Sequence, residues 1–184
     1  MIRVNVAGMV LDERTQGPIL LLHVPPLDRY LPIWIGPPEA AAIGMALRGE
    51  QFERPLTHDL VCAIIDGLGG RLSRVVIHDL RGSTFLAKVF IEREAEVIAV
   101  DARPSDAIAL ALRTAAPVFV AESVLRDGGR LLALDPEAAR RLLTGEPPAA
   151  APDAAAGAPP PPLSPDDDDD DDENENEDDE QEGT

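Results

Sequence analysis

The sequence predicts an α+β domain, with a mixed, largely antiparallel sheet packed with about three to four helices in a single compact domain. Three observations predict it. Short apolar or alternating segments have the pattern of strands. These segments come in groups joined by short turns, which favours antiparallel pairing. Helical patterns separate the groups and do not alternate with single strands, so a doubly wound nucleotide-binding fold is not expected.

The first half of the chain is predicted to hold three strands and two helices. The strands are expected at residues 2–11, 18–24 and 30–35. Gly36-Pro37-Pro38 ends the third strand and opens a helix from about residue 38, which Gly49 ends. Thr57 is predicted to cap the next helix. Its buried face is expected to comprise Leu60, Val61, Ile64, Ile65 and Leu68.

The second half of the chain is predicted to have the same order of elements, three strands followed by a helix. Strands are predicted at 71–80, 84–93 and 96–101, and their short connections indicate hairpins. Pro104 suits the first position of the following helix, because a proline has no N–H to leave unpaired there. The apolar stripe of that helix is Ala107, Ile108, Ala111, Leu112 and Ala115. A buried strand at 118–120 and a short helix starting at Asp135-Pro136 are predicted to follow.

The end of the chain differs from the rest in composition. Residues 1–145 are predicted to form the domain, and 146–184 a disordered tail that is first Pro/Ala-rich and then poly-acidic, with seven consecutive aspartates at 166–172. The first 145 residues hold 16 basic and 18 acidic residues, a net charge of −2 out of −18 for the whole chain. The domain is therefore nearly neutral, and the tail is a polyanion.

The sequence also indicates the compartment and the assembly state. The single cysteine, Cys62, excludes an internal disulfide and fits a reducing compartment. No segment has the apolar centre of a signal peptide or the length of a membrane span. We therefore expect a cytoplasmic protein without membrane contact. Long strand edges and the hydrophobic strand 118–120 make a homo-oligomer a further expectation.

Four polar groups crowd the junction between a strand and a helix: Asp101, Arg103, Ser105 and Asp106. An ordinary helix needs only one cap, and the N–H groups at a helix start can bind phosphate. Two carboxylates would repel a phosphate unless a cation or a proton lay between them. The alternative is structural, with Arg103 paired to a carboxylate and Ser105 acting as a cap.

Other candidates lie at two more helix starts. His58 and Asp59 follow Thr57. His58 is either exposed and without a role, or a general acid/base, while Asp59 interacts favourably with the positive end of the helix dipole. Glu39 opens the first helix. Asp101, Asp106 and Glu39 are the candidate ligands of a hard cation such as Mg²⁺ or Mn²⁺, and Asp59 is a further possible one. A second His-Asp pair, His78-Asp79, precedes a turn and is interpreted mainly as a turn former.

At these residues the chain resembles the bifunctional nuclease family, which acts on DNA and RNA. The resemblance covers roughly residues 2–125, and its strongest signature is Asp101-Ala-Arg-Pro-Ser-Asp106. The other matching stretches are Leu31-Pro-Ile-Trp-Ile-Gly36 with Glu39-Ala40, Arg54-Pro-Leu-Thr-His-Asp-Leu60, Val75-Val-Ile-His-Asp-Leu80 and Thr84-Phe-Leu-Ala87. The resemblance implies a compact α+β domain that hydrolyses phosphodiester bonds. The acidic tail lies outside the family pattern.

Two functions follow as hypotheses. In the first, a nuclease, Asp101 and Asp106, with Asp59 or Glu39, hold the divalent cation. Arg103 stabilises charge on phosphorus, and Ser105 positions the phosphate. His58 moves protons, and no organic cofactor is expected.

In the second hypothesis the same fold is a non-catalytic regulatory module that binds nucleic acid or protein. Neutral charge and few aromatic residues favour it, since proteins that bind a nucleic-acid backbone usually show a basic surface. The tail is either a solvated appendage, a ligand for a basic protein, or an imitation of a nucleic-acid backbone that occupies the groove at Arg103.

Overall fold

A computed structural model describes residues 1–12, 14–127 and 132 of the protein. Seven strands, four α-helices and a short 3-10 helix at Pro25–Leu27 lie within them. The strands are β1 (Ile2–Leu11), β2 (Pro18–Val24), β3 (Arg29–Trp34), β4 (Arg71–Arg81), β5 (Thr84–Arg93), β6 (Glu96–Ala102) and β7 (Val118–Val120). The α-helices are α1 (Pro37–Leu47), α2 (Thr57–Gly67), α3 (Pro104–Thr114) and α4 (Glu122–Asp127).

The strands form one mixed sheet in the order β3-β2-β1-β7-β4-β5-β6. Neighbouring strands are antiparallel except β4 and β7, which run parallel with Val75 beside Val118. β7 lies inside the sheet, because β1 pairs with its other side through Ile2 and Val120. The predicted α+β class with a largely antiparallel sheet is confirmed. The strand at 118–120, expected to contribute to an oligomer, is buried within the sheet.

The helix α3 lies at the centre of the helical layer. It contacts α1 and α2 on its two sides and β4 and β5 beneath it. Its residues Ala107, Ile108 and Ala111 are buried in the main core, as their helical spacing predicts. Small side chains at two of these positions let the helix approach the sheet closely. The starts of α1, α2 and α3 are thereby held near one another.

The prediction for α2 is wrong in two respects. Its first residue is Thr57 and its cap is Leu56, whose N–H donates to the Asp59 carboxylate at 2.9 Å. Asp59 therefore does the capping that was expected of Thr57. No residue of α2 is buried, and Leu60, Ile64 and Leu68 are exposed. The physical reason is position: α2 lies at the side of the helical layer and packs on one side only.

Several expectations fall on other parts of the chain. The helix predicted from Asp135, the boundary at residue 145 and the acidic tail lie outside the described residues. The helix α4 was not predicted; its six residues are too few for a periodic pattern. Among the described residues, no helix combines the length and the apolar character that crossing a bilayer requires.

Candidate active site

Three helix starts bring four polar side chains together. Glu39 comes from the first turn of α1, His58 from α2, Arg103 from the cap of α3, and Asp106 from the first turn of α3. We call these four residues the site cluster. Arg103 and Asp106 are three residues apart, whereas Glu39 and His58 are distant in sequence, and the packing of α3 between α1 and α2 joins them.

Arg103 is the centre of the site cluster. Its Nε donates to Asp106 Oδ2 at 2.7 Å, and its Nη2 donates to Asp106 Oδ1 at 3.1 Å. Its Nη1 lies 2.7 Å from Glu39 Oε1. The guanidinium is thus held by two carboxylates on different helices, yet the side chain is 66% exposed. Such paired contacts fix the plane of a guanidinium while leaving part of it open to a ligand.

His58 contacts the same carboxylate. Its Nε2 lies 3.3 Å from Asp106 Oδ1, and its side chain is mostly buried. An ionised carboxylate can only accept a hydrogen bond, so this contact requires the proton to be on Nε2. In the neutral imidazole Nδ1 then carries the lone pair. Asp106 consequently orients both Arg103 and His58.

A second ion pair, between Arg113 and Asp59, lies next to the site cluster and joins α3 to α2. The nearly buried Arg113 donates from Nε to Asp59 Oδ1 at 2.5 Å and from both terminal nitrogens to the Ala42 carbonyl at 3.3 Å. It also donates to the carbonyl of Ala109 in its own helix at 3.0 Å. One side chain of α3 therefore links α1 and α2. Arg113 was not among the residues expected from sequence to be functional, although an arginine in the last turn of a buried helix needs partners and could have been recognised.

The carboxylates of these networks have perturbed pKa values. Burial raises the pKa of Asp106, but hydrogen bonds from Arg103 and His58, with their charges, hold it below its usual range. Burial likewise raises the pKa of Asp59, and the contacts with Arg113 and the Leu56 N–H outweigh it, so that this pKa is also lowered. Hydrogen bonding and charge from Asp106, then Glu39, raise the pKa of Arg103. Both carboxylates are therefore ionised at neutral pH.

Asp101 does not join the site cluster. It is exposed on β6 opposite Lys88, whereas its neighbours in the strand, Val100 and Ala102, lie opposite the core residues Val89 and Ala87. Successive side chains of a strand point to opposite faces of a sheet. Asp101 therefore points to the face away from the helices. The sequence places it five residues from Asp106, but this alternation separates the two carboxylates.

The other candidates have simple placements. Ser105 is buried in the first turn of α3, and the N-cap of that helix is Arg103, so Ser105 is not the cap that the structural alternative expected. Asp79 accepts from the Leu80 N–H at 2.8 Å and from Arg81 Nε at 2.9 Å, as expected of a turn former. His78 Nε2 is buried, and the part of the chain that is described offers it no partner.

The acidic side chains of the described residues do not form the cation site that the sequence predicts. Within residues 1–12, 14–127 and 132, no three His, Cys, Asp or Glu side chains are grouped closely enough to hold a metal ion. Asp106 uses both oxygens for Arg103 and His58, and Glu39 uses one for Arg103. Hard cations such as Mg²⁺ prefer about six oxygen ligands. The side chains as placed do not fit such an ion, and the cation stays a prediction for direct measurement.

Comparisons with known proteins bear on the same region. A family model described as the bifunctional nuclease domain matches residues 19–131. An uncharacterized protein from two strains of Mycobacterium tuberculosis is 46% identical over 129 residues, which is 70% of this chain and 77% of the relative. Bifunctional nuclease 2 of Oryza sativa subsp. japonica is 27% identical over 129 residues, covering 68% of this chain and 40% of its own length. The matched stretch includes the whole site cluster and Arg113.

Proposed function

The chain belongs to the bifunctional nuclease domain family, and we propose that it hydrolyses phosphodiester bonds in DNA, RNA or both. The observation that carries the proposal is the Arg103 guanidinium, which is exposed but fixed in orientation beside His58 at the start of a helix. Phosphoryl chemistry needs a cation that does not lose its proton, oriented donors and a proton acceptor. The site cluster supplies all three.

Arg103 would bind the phosphate. An arginine has five N–H donors, and the contacts with Asp106 and Glu39 use three of them. Two donors remain for a phosphate oxygen. The free N–H groups of the first turn of α3 add a positive potential at the same place. As negative charge grows on the phosphate in the transition state, these fixed donors stabilise it without rearrangement.

His58 would accept a proton. With its Nε2–H directed at Asp106, a neutral His58 can take a proton on Nδ1 from an attacking water. The water oxygen forms a bond to phosphorus, and the bond from phosphorus to the leaving oxygen breaks. The leaving oxygen takes up the proton that His58 accepted, which restores the neutral imidazole; if solvent protonates the leaving oxygen instead, His58 releases its proton to solvent. Asp106 stabilises the histidine while it is charged, as an orienting carboxylate does in other acid–base pairs.

The net charge of the site cluster affects how strongly it can bind a phosphate. With neutral His58 the site cluster has one positive and two negative side chains, a net charge of −1, and protonated His58 brings it to zero. The net charge of the site cluster does not itself favour a phosphate, so binding relies on the two remaining donors of Arg103 and on the N–H groups at the start of α3.

A divalent cation at Asp106, Glu39 or Asp101 remains the expectation from sequence. Cleavage that a chelator abolishes and Mn²⁺ restores would support that cation, and full activity in chelator would contradict it.

Matched variants test the site. The full chain is incubated with labelled single-stranded DNA, duplex DNA and RNA, with and without Mg²⁺ or Mn²⁺. Arg103→Ala should lower the rate by about 10²–10³, which is the usual loss for a donor of this kind. The control Arg71→Ala removes an arginine that is similarly exposed and paired to Glu92, and it should leave the rate unchanged.

His58 has a control of its own. His58→Ala should lower the rate by about 10²–10⁴, as expected for loss of a general base. His23, which lies 3.4 Å from Asp28, is another histidine beside a carboxylate, and His23→Ala should be neutral. Equal cleavage by the wild type and all four variants would assign the activity to another site or to a contaminant.

The second candidate is a non-catalytic module that binds nucleic acid or protein. It is favoured by the pairing of Glu39, Asp59 and Asp106 with arginines, which already satisfies the charges structurally. Binding of labelled DNA or RNA without turnover, and lost in Arg103→Ala, would support the module. Turnover that depends on His58 would support the enzyme.

We further propose that the acidic tail competes with nucleic acid for Arg103, or binds a basic protein. Its run of aspartates at 166–172 resembles a backbone in charge. Deletion after Gly145 should then raise affinity for nucleic acid, most strongly at low salt, because screening weakens an ionic competitor. Affinity unchanged at every salt concentration would remove the competition within one chain and leave the basic partner to be sought.

A further inference from the structure

The two edges of the sheet are built differently. Edge strand β3 contains Pro32, and its Tyr30 exchanges two backbone hydrogen bonds with Leu132, at 3.0 and 2.8 Å. Proline and a covering segment are two ways in which proteins protect a sheet edge. Edge strand β6 pairs only with β5 among the described strands. It has no proline or lysine, and Val97, Ile98 and Val100 are exposed.

The exposed side of β6 continues onto α2. Ile98 and Val100 lie opposite Ile91 and Val89 of β5, and therefore point to the face of the sheet that carries the helices. A Cβ built on Gly70, just after α2, would lie 2.9 Å from Ile91 Cγ2 and 3.4 Å from Ile65 Cγ2. The end of α2 thus meets the sheet beside Ile98.

Apolar residues of α2 extend this surface. Val61 and Leu68 neighbour Ile65 on the helix at i−4 and i+3, and Leu60 and Ile64 complete the stripe. The half-buried side of the helix is a different one, formed by His58, Asp59, Cys62 and Ile65. We name the exposed set on this face the β6–α2 surface: Leu60, Val61, Ile64, Leu68, Ile98 and Val100, which are 36% to 66% exposed. Val97 points to the opposite face of the sheet and is not part of it.

We infer that the β6–α2 surface binds a second copy of this chain by antiparallel pairing of β6 with β6, around a two-fold axis at Ala99. This register places Ile98 opposite Val100 of the second copy, twice, on the face that carries the helices. The small Ala99 lies at the axis. An axis at Ile98 would instead place Glu96 opposite Val100 on that face. A pairing shifted by one residue would place the helices of the two copies on opposite faces of the joined sheet.

The size of the surface agrees with a second copy as the occupant. The six side chains expose on the order of 500 Å² in each copy, so a pair would cover roughly 1,000 Å², near the lower limit of a specific interface. The newly paired strand backbones add to this area. A two-fold interface also lets one patch serve both partners, which a self-complementary strand edge satisfies. The site cluster stays outside the pairing, since it lies on the helix starts beyond Ala102.

The oligomeric state tests the inference. The wild-type full chain, at about 50 μM, should sediment as a dimer of twice 19.6 kDa. Ile98→Asp and Ile64→Asp should each shift the mass towards the monomer. Leu11→Asp introduces the same charge at an exposed position on β1 and should leave the dimer intact. Circular dichroism verifies the fold of each variant.

A disulfide tests the register. In a Cys62→Ala background, Ala99→Cys should link to itself on oxidation, because facing residues of an antiparallel pair lie about 4.5–5.5 Å apart between Cα atoms, within disulfide range. Leu11→Cys is the control and should stay reduced. A monomeric wild type, a dimer that survives both Asp substitutions, or a dimer in which Ala99→Cys fails to link would each overturn the inference.

Discussion

The bond network of Arg113 supports a quantitative prediction. Replacing Arg113 with Met keeps an unbranched side chain of similar length in the helix, and removes the donors that reach Asp59 and Ala42. A hydrogen bond to a charged group contributes about 1.5–3 kcal/mol, and burial of Arg113 favours the upper part of that range. Asp59 is 36% exposed, so water recovers part of the loss. We expect Arg113→Met to lower the free energy of unfolding by about 2–3 kcal/mol.

The pair itself is isolated by a double-mutant cycle. Asp59→Asn, Arg113→Met and the double variant are unfolded with urea and followed by circular dichroism. The coupling energy should be about 1–2 kcal/mol, because each single change removes the same ion pair. In the control cycle, Arg71→Met with Glu92→Gln breaks an exposed pair and should give a coupling below about 0.5 kcal/mol. Additive effects at Arg113 and Asp59 would refute the proposed role of their contact.

Three further predictions concern single positions. The lowered pKa of Asp106 means that its ionised form stabilises the fold above the usual carboxyl range and that this contribution is lost as the pH falls through the lowered pKa. The difference in urea stability between wild type and Asp106→Asn should therefore be large near neutral pH and shrink in acid; a constant difference would contradict it. Gly82 has a φ of 61° in the β4–β5 turn, so Gly82→Ala should lower the free energy of unfolding by about 1 kcal/mol. Gly67 lies in open space at the end of α2, and Gly67→Ala should be neutral or stabilising. Thermal melts of the two variants measure the difference. A Cβ at Gly36 would collide with Glu39 Oε2, so Gly36→Ala should keep its melting temperature but lower nucleic-acid cleavage, and unchanged cleavage would contradict a role for the position of this carboxylate.

Local patterns were sufficient to predict most of the elements. Alternation and turn residues gave β1, β2, β5 and β7 with the bounds that the structure shows, and Pro104 marked the first residue of α3. These features depend on neighbours in sequence, where steric and hydrogen-bonding preferences act directly. The buried face predicted for α2 was wrong, because an apolar stripe on a helix has the same sequence pattern whether it packs against the core or lies exposed on the surface.

The site was predictable only in part, for the same reason. His58, Arg103 and Asp106 were singled out from helix starts, and the packing of three helices joins them with Glu39. Their partners could not be assigned, since 48 positions separate His58 from Asp106. Asp101 was grouped with them by sequence distance, while the alternation of side chains in β6 points it to the other face. Extending the two-residue alternation of β6 to Ala102 would have assigned Asp101 to the face away from the other candidates.

The position of β7 has a consequence for biosynthesis. Strand β1 leaves the ribosome before the other six described strands, and it needs the last of them, β7, as its neighbour through the pair Ile2 and Val120. The β1–β2–β3 meander is complete at Trp34, and β7 ends at Val120. At about 5–20 residues per second, translation therefore leaves the meander without its link to β4 for roughly 4–17 s. Nascent chains stalled before residue 118 should therefore bind chaperones and be cleaved readily by protease, and chains stalled well beyond it should resist.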